Sequence, residues 1–282
     1  MSFVNKAGII LAGKWIGGIT INDVLAVCKK LNAIGEHVIV NYLGEDYTDK
    51  LRVNASTDKY LDLIRGMKKF GVSGDIALKP TQLGLKLNYN TFLSNYEKII
   101  KYADKRRISV WLDMEDYLFV DDTIHAYLHE LKSHENLGIC IQAKLKRSMG
   151  DISRITGKKG MIRLVKGAYP ARSGITYLNK QDIDANYIRC MKYLFKHSNR
   201  FMIATHDDNL IDIARDLEID HNKNVMFAML KGIRGKLALQ LVSDKENVYI
   251  YVPFGEDWVE YSTRRLKELE HSMLILRSII SG

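Results

Sequence analysis

Cysteine is scarce in this sequence, and long hydrophobic runs are missing. The only three cysteines, Cys28, Cys140 and Cys190, are odd in number and far apart. This usage indicates neither a disulfide framework nor a cysteine-based metal site, and it fits a reducing cytoplasm. No apolar run reaches the roughly 18 residues that a membrane-spanning helix needs. The apolar residues 7–13 are followed by Lys14 and by no small-residue cleavage site, so we predict a packing helix there.

Several motifs of known chemistry are missing too. No GxGxxG dinucleotide fingerprint, GxSxG nucleophile elbow or P-loop occurs. His125 and His129 are spaced to share a metal, but position 126 is alanine, so the glutamate of HExxH is lacking. Together with His134 they are better explained as surface residues of an outer helix. We therefore predict no metal site.

Acidic residues are outnumbered by basic ones. The chain has 42 lysines and arginines against 33 acids, which gives a net charge of +9. Such a charge would suit nucleic acid, a membrane surface or a small anionic ligand. The basic residues are spread, however, with no long basic run and no RNA-binding or zinc-finger signature. We interpret the charge as favouring solubility and anion binding, and predict no nucleic-acid partner.

Short apolar runs alternate with longer amphipathic segments along the chain. Repeated strand–helix units predict parallel strands with right-handed crossovers, and eight such strands predict a closed (β/α)8 TIM-type barrel. A doubly wound open sheet is the alternative. No Pro-, Gly- or Ser-rich linker marks a boundary, so residues 1–282 are predicted to be one domain with an N-terminal helical segment at about residues 1–35. The predicted strands are residues 37–42, 75–79, 108–112, 137–142, 161–166, 201–205, 225–230 and 248–252.

Amphipathic spacing and capping residues predict the helices around these strands. An N-terminal helix is predicted at about residues 20–34, where Gly35 ends it. Helical patterns between the strands include residues 57–70, 91–105, 123–133, 180–197 and 210–217.

Polar residues gather at the carboxyl ends of the predicted strands. In a barrel these ends form the mouth, where active sites are built. Each residue alone is most simply the start of a loop, but the whole set predicts a functional mouth. Its members are Lys79, Asp113, Gln142, Arg163, Lys166, Thr205, His206 and Tyr251.

Residues 248–268 combine a short strand, closed by Pro253 and Gly255, with a charged helix. On that helix a phenol, two guanidiniums and a carboxylate occupy adjoining parts of one face. Two guanidiniums beside a phenol suit a small carboxylate, whereas a solvated helix face is the simpler alternative. These side chains are Tyr261, Arg264, Arg265 and Glu268.

Six strings of the sequence become informative when they are taken together. They are RLVKGAY at 163–169, ATHD at 204–207, YVP at 251–253 with the helix pattern YxxRRxxE at 261–268, LKPTQLG at 78–84, WLDME at 111–115 and QA at 142–143. These strings follow one another along the chain in the order of the flavin-dependent proline dehydrogenase family, and over residues from about 36 to 270 the sequence resembles that family. The resemblance implies a distorted (β/α)8 barrel with the last helix over the mouth, FAD as cofactor, and oxidation of L-proline to 1-pyrroline-5-carboxylate.

The resemblance implies a site for the substrate carboxylate. Lys79, Arg264 and Arg265 would hold it, Asp113 would pair with Lys79, and Glu268 would orient an arginine. The catalytic set would be Lys79, Asp113, Tyr251, Arg264 and Arg265.

The resemblance also implies where the substrate ring and the cofactor bind. Leu230, Tyr251 and Tyr261 would enclose the ring of proline. Arg163 would approach the flavin N5 region, and Gln142 would hydrogen-bond the isoalloxazine. The other residues along the cofactor would be Val165, Lys166, Gly167, Ala168, Thr205 and His206.

Two short stretches depart from the family pattern. Residues 226–228 read Met-Phe-Ala where Glu-Phe-Gln is common, and Pro170 and Ala171 replace a common acid. Neither stretch belongs to the carboxylate site, so the departures concern flavin packing and dynamics more than the reaction.

Further partners follow from the resemblance. Electrons would pass to a quinone-type acceptor, and a separate 1-pyrroline-5-carboxylate dehydrogenase would act next. The apolar residues of 271–280 could contact the inner face of a membrane, although packing against the barrel or a second subunit is the simpler explanation.

Two rival functions are a flavin barrel acting on a reduced folate or another amino acid, and a non-catalytic barrel that binds an anionic partner.

Overall fold

A closed parallel barrel forms the centre of the molecule. The structure is a computed structural model and describes residues 13–259 and 261–263. Its eight strands pair in sequence order, and the last pairs with the first. The predicted TIM-type barrel is confirmed, and the open-sheet alternative is wrong. The strands are β1 (His37–Tyr42), β2 (Gly74–Leu78), β3 (Val110–Leu112), β4 (Leu137–Gln142), β5 (Met161–Val165), β6 (Phe201–Ala204), β7 (Met226–Leu230) and β8 (Asn247–Phe254).

Helices follow the strands as a (β/α)8 pattern requires. Capping residues define several of their ends: Thr20 makes a capping box at the start of α1, and Asn179 caps α6. The helices of the described residues are α1 (Ile21–Ala33), α2 (Lys50–Phe70), α3 (Tyr89–Asp104), α4 (Val120–Glu130), α5 (Ser148–Thr156), α6 (Lys180–His197), α7 (Asp208–His221) and α8 (Gly235–Ser243), with a 3-10 turn at Tyr117–Phe119.

Two helices, α5 and α8, are absent from the sequence-based set. Neither has a side-chain cap, because Arg147 and Arg234 stand at their N-cap positions. Both are also short, so their amphipathic pattern is brief. The signals on which helix prediction depends are therefore missing from these two segments.

Two strands differ in length from the prediction by more than one residue. β3 starts at Val110 rather than at 108, because Ile108 donates its N–H to Ala103 O (3.2 Å) and so is tied to the turn that follows α3. β8 continues through Pro253, which was predicted to close it. The pairing of β8 with β7 ends at Tyr251, whereas its pairing with β1 continues to Phe254. Pro253, which has no N–H, faces the β7 side, where no further strand hydrogen bond is formed.

Successive side chains of each strand point alternately into two apolar environments. Outward side chains such as Val38 and Ile76 join the main core between the sheet and the helices. Inward side chains form a smaller core inside the barrel: Ile39, Ala77, Trp111, Met161, Met202 and Ala228. Gly138 provides the space for Trp111, since a Cβ there would lie 2.2 Å from Cε3 of the indole. The barrel interior is therefore filled below the mouth.

Residues 13–18, here called the N-terminal strap, pack against the carboxyl end of β8. Gly17 donates its N–H to Pro253 O (2.7 Å), and Gly255 donates to Gly18 O (3.1 Å). On the neighbouring loop, Lys231 donates its ammonium to Gly13 O at 2.7 Å. The strap therefore lies beside the β7 and β8 ends of the mouth.

Some sequence-based predictions fall largely outside the described residues. They include the packing helix at 7–13, of which only Gly13 is described, the last helix over the mouth, of which only the helical residues 258–259 and 261–263 are described, and the apolar residues of 271–280. Within residues 13–259 and 261–263, no helix has both the length and the apolar character needed to cross a bilayer.

Candidate active site

Inward-facing side chains at the carboxyl ends of the strands converge at the mouth. By strand alternation they lie directly above the small apolar core inside the barrel. Asp113, Gln142 and Arg163 are buried, whereas Lys79 and Tyr251 are partly exposed. The mouth thus combines buried charges with accessible ones, as a binding site for a small charged molecule would require.

Asp113 lies at the centre of this arrangement. It follows β3 and accepts hydrogen bonds from Arg163 Nη2 and from the Tyr251 hydroxyl, the latter at 2.7 Å. The thiol of Cys140 lies 3.8 Å from the same carboxylate. Burial and the Asp113 charge raise the pKa of Tyr251 well above its ordinary value, so the phenol stays protonated and donates.

The Arg163 guanidinium is held on several sides inside the barrel. Its Nε donates to Cys140 Sγ at 2.8 Å, and Nη2 binds Asp113. Its carbon lies 5.5 Å from the Trp111 ring centre and 5.3 Å from that of Tyr251. Burial would lower the pKa of Arg163, but Cys140, Asp113 and Tyr251 outweigh it, so the pKa lies above its usual range. The guanidinium is a permanent cation just below the mouth.

Lys79 has partners other than the predicted one. Its ammonium donates to the Tyr169 hydroxyl (2.8 Å) and forms an ion pair with Glu45 at 3.2 Å. Tyr169 in turn donates to Glu45 at 2.7 Å. The predicted Lys79–Asp113 pair is therefore wrong, because Glu45 from the loop after β1 reaches the ammonium and Asp113 binds Arg163 instead. Burial by itself would lower the pKa of Lys79. The interactions with Tyr169, Glu115 and Asp113 outweigh this effect and raise the pKa, so the lysine stays charged.

A buried carboxylate, Glu115, organises the wall between β2 and β4. Thr81 donates to it through both its backbone N–H (2.8 Å) and its hydroxyl (2.7 Å). Gln142 Nε2 donates to the Glu115 carbonyl at 2.8 Å, which orients the amide. Burial raises the pKa of Glu115. Gln142, predicted as a cofactor contact, is thus fixed by the segment that follows β3.

Lys166 belongs to a charged network at the end of β5. Its ammonium lies 2.6 Å from Asp184 and 2.9 Å from Asp207, and Lys180 contacts both of these carboxylates. Burial by itself would raise the pKa of Asp207, but the interactions with the two lysines outweigh this effect and lower the pKa. A cation that faces two carboxylates is held in place, yet part of its charge is already compensated.

Thr205 and His206 follow β6 and contact neighbouring loops. The Thr205 hydroxyl accepts from the Asp207 N–H at 3.2 Å. His206 Nε2 accepts from the Leu230 N–H at 2.9 Å, and its carbonyl accepts from Arg234 at 2.9 Å. His206 therefore joins the ends of β6 and β7.

Leu230 and Tyr261, two of the three predicted ring walls, lie in one apolar cluster beside the mouth. Tyr261 is buried there, and Leu230 packs against the cluster from the end of β7. Trp15 and Ile16 of the N-terminal strap are buried in the same cluster. The two ring walls are thus brought together, and the strap supports them.

Three predicted site residues lie outside the described residues: Arg264, Arg265 and Glu268. Their roles therefore stay predictions. The two departures from the family pattern can be placed, however. Met226 and Ala228 face the barrel interior, and Ala171 packs against the main core. Both stretches therefore contribute packing contacts.

The mouth has unpaired polar atoms that suit a flavin. Among the described residues, Arg163 Nη1 and Gln142 Oε1 are buried without a hydrogen-bond partner. Beside Gln142, Gly167 has a φ of +106°, and a Cβ there would lie 2.8 Å from Gln142 Oε1 and 2.7 Å from Lys144, so only glycine lets the backbone lie this close to the amide. A free donor and a free acceptor fit a planar ring system that carries both acceptor and donor atoms.

Sequence reasoning missed several residues of the mouth. Tyr169 lies in a recognised string but received no role, and Cys140 was treated as an isolated thiol. Glu45 follows the end of β1 closely, so the strand-end rule that found the others could have found it. Trp15 precedes the barrel, and no sequence pattern links it to the mouth.

A (β/α)8 barrel whose mouth combines buried ion pairs with unpaired polar atoms has the architecture of a barrel enzyme. The sequence model of the family described as proline dehydrogenase matches residues 24–272. The chain belongs to the proline dehydrogenase family.

Curated relatives extend over most of this chain. Proline dehydrogenase 2 of Bacillus subtilis (strain 168) is 33% identical over 262 residues, which cover 92% of this chain and 86% of the relative. Proline dehydrogenase of Deinococcus radiodurans is 29% identical over 281 residues, covering 96% and 91%. Together with the family match, these relatives support an oxidoreductase with proline dehydrogenase activity, the first step of proline catabolism.

A solved structure shares the fold. Proline utilization A (PutA) from Bdellovibrio bacteriovorus, inactivated by N-propargylglycine, superposes with a TM-score of 0.88 at 23% identity. The match covers 97% of this chain but only 34% of the other, so this chain spans about one third of that longer protein. The barrel architecture is common to both.

Proposed function

We propose that this protein is an FAD-dependent proline dehydrogenase that converts L-proline to 1-pyrroline-5-carboxylate. The observation that carries the proposal is the pair of unpaired buried atoms at the mouth, Arg163 Nη1 and Gln142 Oε1; Gly167, which has no Cβ, lets its backbone lie close to the Gln142 amide. Such atoms are costly to leave unpaired, so a bound group that satisfies both is favoured. Membership of the family supports FAD as that group.

The substrate site combines described and undescribed residues. Lys79 stays charged and would hold the proline carboxylate with Arg264 and Arg265, which Glu268 would orient. Glu45 and Tyr169 hold the Lys79 ammonium, so that it is in position before substrate arrives.

The ring of proline would lie between apolar and aromatic walls. Leu230, Tyr251 and Tyr261 would enclose it, and Asp113 fixes the Tyr251 phenol through a 2.7 Å hydrogen bond. Holding the ring and its carboxylate together restricts the orientation of C5, and positioning of this kind supplies much of the rate of such reactions.

The cofactor side is formed by β4, β5 and β6. Gln142 would accept from the ring system, and the Arg163 cation would lie near the N5 region, where negative charge develops. When bound, FAD would supply the two-electron acceptor chemistry for hydride loss from proline C5, with N5 as the accepting position. The remaining residues along the cofactor would be Val165, Lys166, Gly167, Ala168, Thr205 and His206.

The reaction balances as loss of one hydride and one proton. Proline loses the hydride from C5 and the proton from its nitrogen, and a C=N double bond forms. The nitrogen must be neutral for the hydride to leave, so kcat/KM should rise with pH as the substrate amine deprotonates. A flat profile from acid to alkaline pH would contradict hydride loss as the limiting step.

The electron acceptor and cellular setting extend the proposal. Reduced cofactor would pass its electrons to a quinone-type acceptor, and a separate 1-pyrroline-5-carboxylate dehydrogenase would use the product. Residues 1–282 would act as one cytoplasmic domain, with peripheral contact at the inner face of a membrane or a second subunit as the environment of residues 271–280. Vesicle flotation and light scattering would separate the last two cases.

An anaerobic bleaching experiment tests the proposal. The purified protein, reconstituted with FAD, should be yellow, and L-proline should bleach it without oxygen. Tetrahydrofuroate, a carboxylate analogue of proline, should perturb the visible spectrum without bleaching. Protein that takes up no FAD would favour a non-catalytic barrel that binds anions. Bound flavin that is not reduced by proline but is bleached by a reduced folate would identify a different substrate.

A further inference from the structure

Cys140 occupies a special position among the three cysteines. It lies on β4 directly opposite Arg163 on β5, and both side chains face the barrel interior. Cys28 and Cys190 instead lie on helices α1 and α6, which pack outside the sheet. Cys140 is therefore the cysteine that contacts a proposed cofactor residue.

The contacts of Cys140 bridge a cation and an anion. Its sulfur accepts the Arg163 Nε–H at 2.8 Å and lies 3.8 Å from Asp113 Oδ1. Burial raises the pKa of this thiol to about 11, so it is neutral at physiological pH and keeps its S–H. A neutral thiol can accept from the arginine and donate weakly to the aspartate at the same time.

These contacts determine which way the guanidinium points. Asp113 holds Nη2 and Cys140 holds Nε, so the plane of the group is fixed by two of its three nitrogens. The third, Nη1, is buried and unpaired among the described residues. Without the sulfur, the guanidinium would keep one anchor and could rotate about it.

We propose that Cys140 is a positioning residue that holds the Arg163 guanidinium so that Nη1 is presented to the cofactor. The sulfur touches neither substrate nor cofactor in this role; it acts through the arginine. This inference rests on the proposed function for its effect on FAD, whereas the contact itself can be tested without the cofactor.

Two variants of Cys140 separate hydrogen bonding from packing. Cys140→Ser keeps an acceptor and a donor at this position, whereas Cys140→Val fills the space with neither. Cys190→Ala is the matched control, because it removes an equally buried sulfur from a helix outside the barrel. All three proteins are prepared both with FAD and without it.

The midpoint potential of the bound flavin is the first measurement. A fixed cation nearby favours the reduced, more negative flavin. Cys140→Val should therefore shift the reduction equilibrium by about tenfold toward the oxidised form, which is about 30 mV for a two-electron couple. Cys140→Ser should recover most of this shift, and Cys190→Ala should leave the potential unchanged. A valine variant with the wild-type potential, or an equal shift in the Cys190 control, would overturn the inference.

Arginine side-chain NMR on the flavin-free protein is the second measurement. The Nε–H of Arg163, assigned by its loss in Arg163→Lys, should exchange slowly with solvent in the wild type and in Cys140→Ser. In Cys140→Val it should exchange at least about tenfold faster, since a hydrogen bond to a charged donor is lost. Unchanged exchange in the valine variant contradicts the contact. Failure of the wild type to bind FAD would instead refute the proposed function, and the NMR result would still decide the role of Cys140.

Discussion

Replacing Asp113 by asparagine tests the arrangement at the mouth most directly. The change keeps the shape of the side chain and one carbonyl oxygen but removes the negative charge. Arg163 would then be a buried cation without its carboxylate partner, since its side chain is only 4% exposed and that of Asp113 12%. The free energy of unfolding should fall for this reason.

The expected loss in the free energy of unfolding follows from the burial of this ion pair. Breaking a buried ion pair by removing one partner costs about 3–5 kcal/mol, because the remaining charge loses its compensation. The retained oxygen can still accept from Tyr251, so Asp113→Asn should lie near the lower end, about 3 kcal/mol. For a chain of this size that loss corresponds to a fall in Tm of about 6–12 °C.

Urea unfolding of the wild type and the variant measures the difference, with Asp121→Asn as the matched control. Asp121 also pairs with an arginine, Arg147, but its side chain is 79% exposed, so its loss should cost less than about 1 kcal/mol. A double variant, Asp113→Asn with Arg163→Met, should recover part of the loss, because neither charge then remains buried.

The reasoning would be refuted by equal effects at the two aspartates. If Asp113→Asn and Asp121→Asn both cost less than about 1 kcal/mol, Arg163 would not depend on Asp113 for compensation. If the double variant were less stable by the sum of the single effects, the two residues would not interact.

Three further predictions test other parts of the chain. Arg264→Ala and Arg265→Ala should each lower kcat/KM for proline, mainly by raising KM, by an amount that corresponds to about 2–5 kcal/mol of lost transition-state stabilisation. If kcat/KM stayed within about twofold of the wild-type value in both variants, the two arginines would not belong to the carboxylate site. Gly138→Ala should destabilise by about 1–3 kcal/mol, since its Cβ would meet Trp111 at 2.2 Å. The matched change Gly150→Ala, in a helix with nothing within 4 Å, should stabilise slightly in the same melting assay. Burial raises the pKa of Glu218 to about 7, so the wild type should lose stability as pH rises from about 4.5 to 7; Glu218→Gln should remove this loss in urea titrations, and parallel pH curves would contradict it.

The barrel itself could be predicted because its signal is local. Each strand is a short apolar run between longer amphipathic segments, and parallel strands with short connections leave few topologies. The mouth residues followed from the same reasoning, since the carboxyl ends of all eight strands meet there. Lys79, Asp113 and Arg163 were therefore found from position alone.

The partners of these residues could not be predicted in the same way. Glu45 reaches Lys79 from the loop after β1, and Tyr169 reaches it from the loop after β5. Which of several nearby acids binds a lysine depends on loop conformations and on differences of about an ångström. Strand order contains no such information, and the predicted Lys79–Asp113 pair was wrong for that reason.

The sequence by itself determined the fold class, the family and the chemical character of the mouth, because strand periodicity and the recognised strings are local properties of the chain. Only the tertiary structure decided which charges compensate each other and which polar atoms remain unpaired. Cys140 and Arg163 lie on the neighbouring strands β4 and β5, and Asp113 follows β3, which pairs with β4. Their contacts exist because strand pairing and register bring them to one level of the barrel interior.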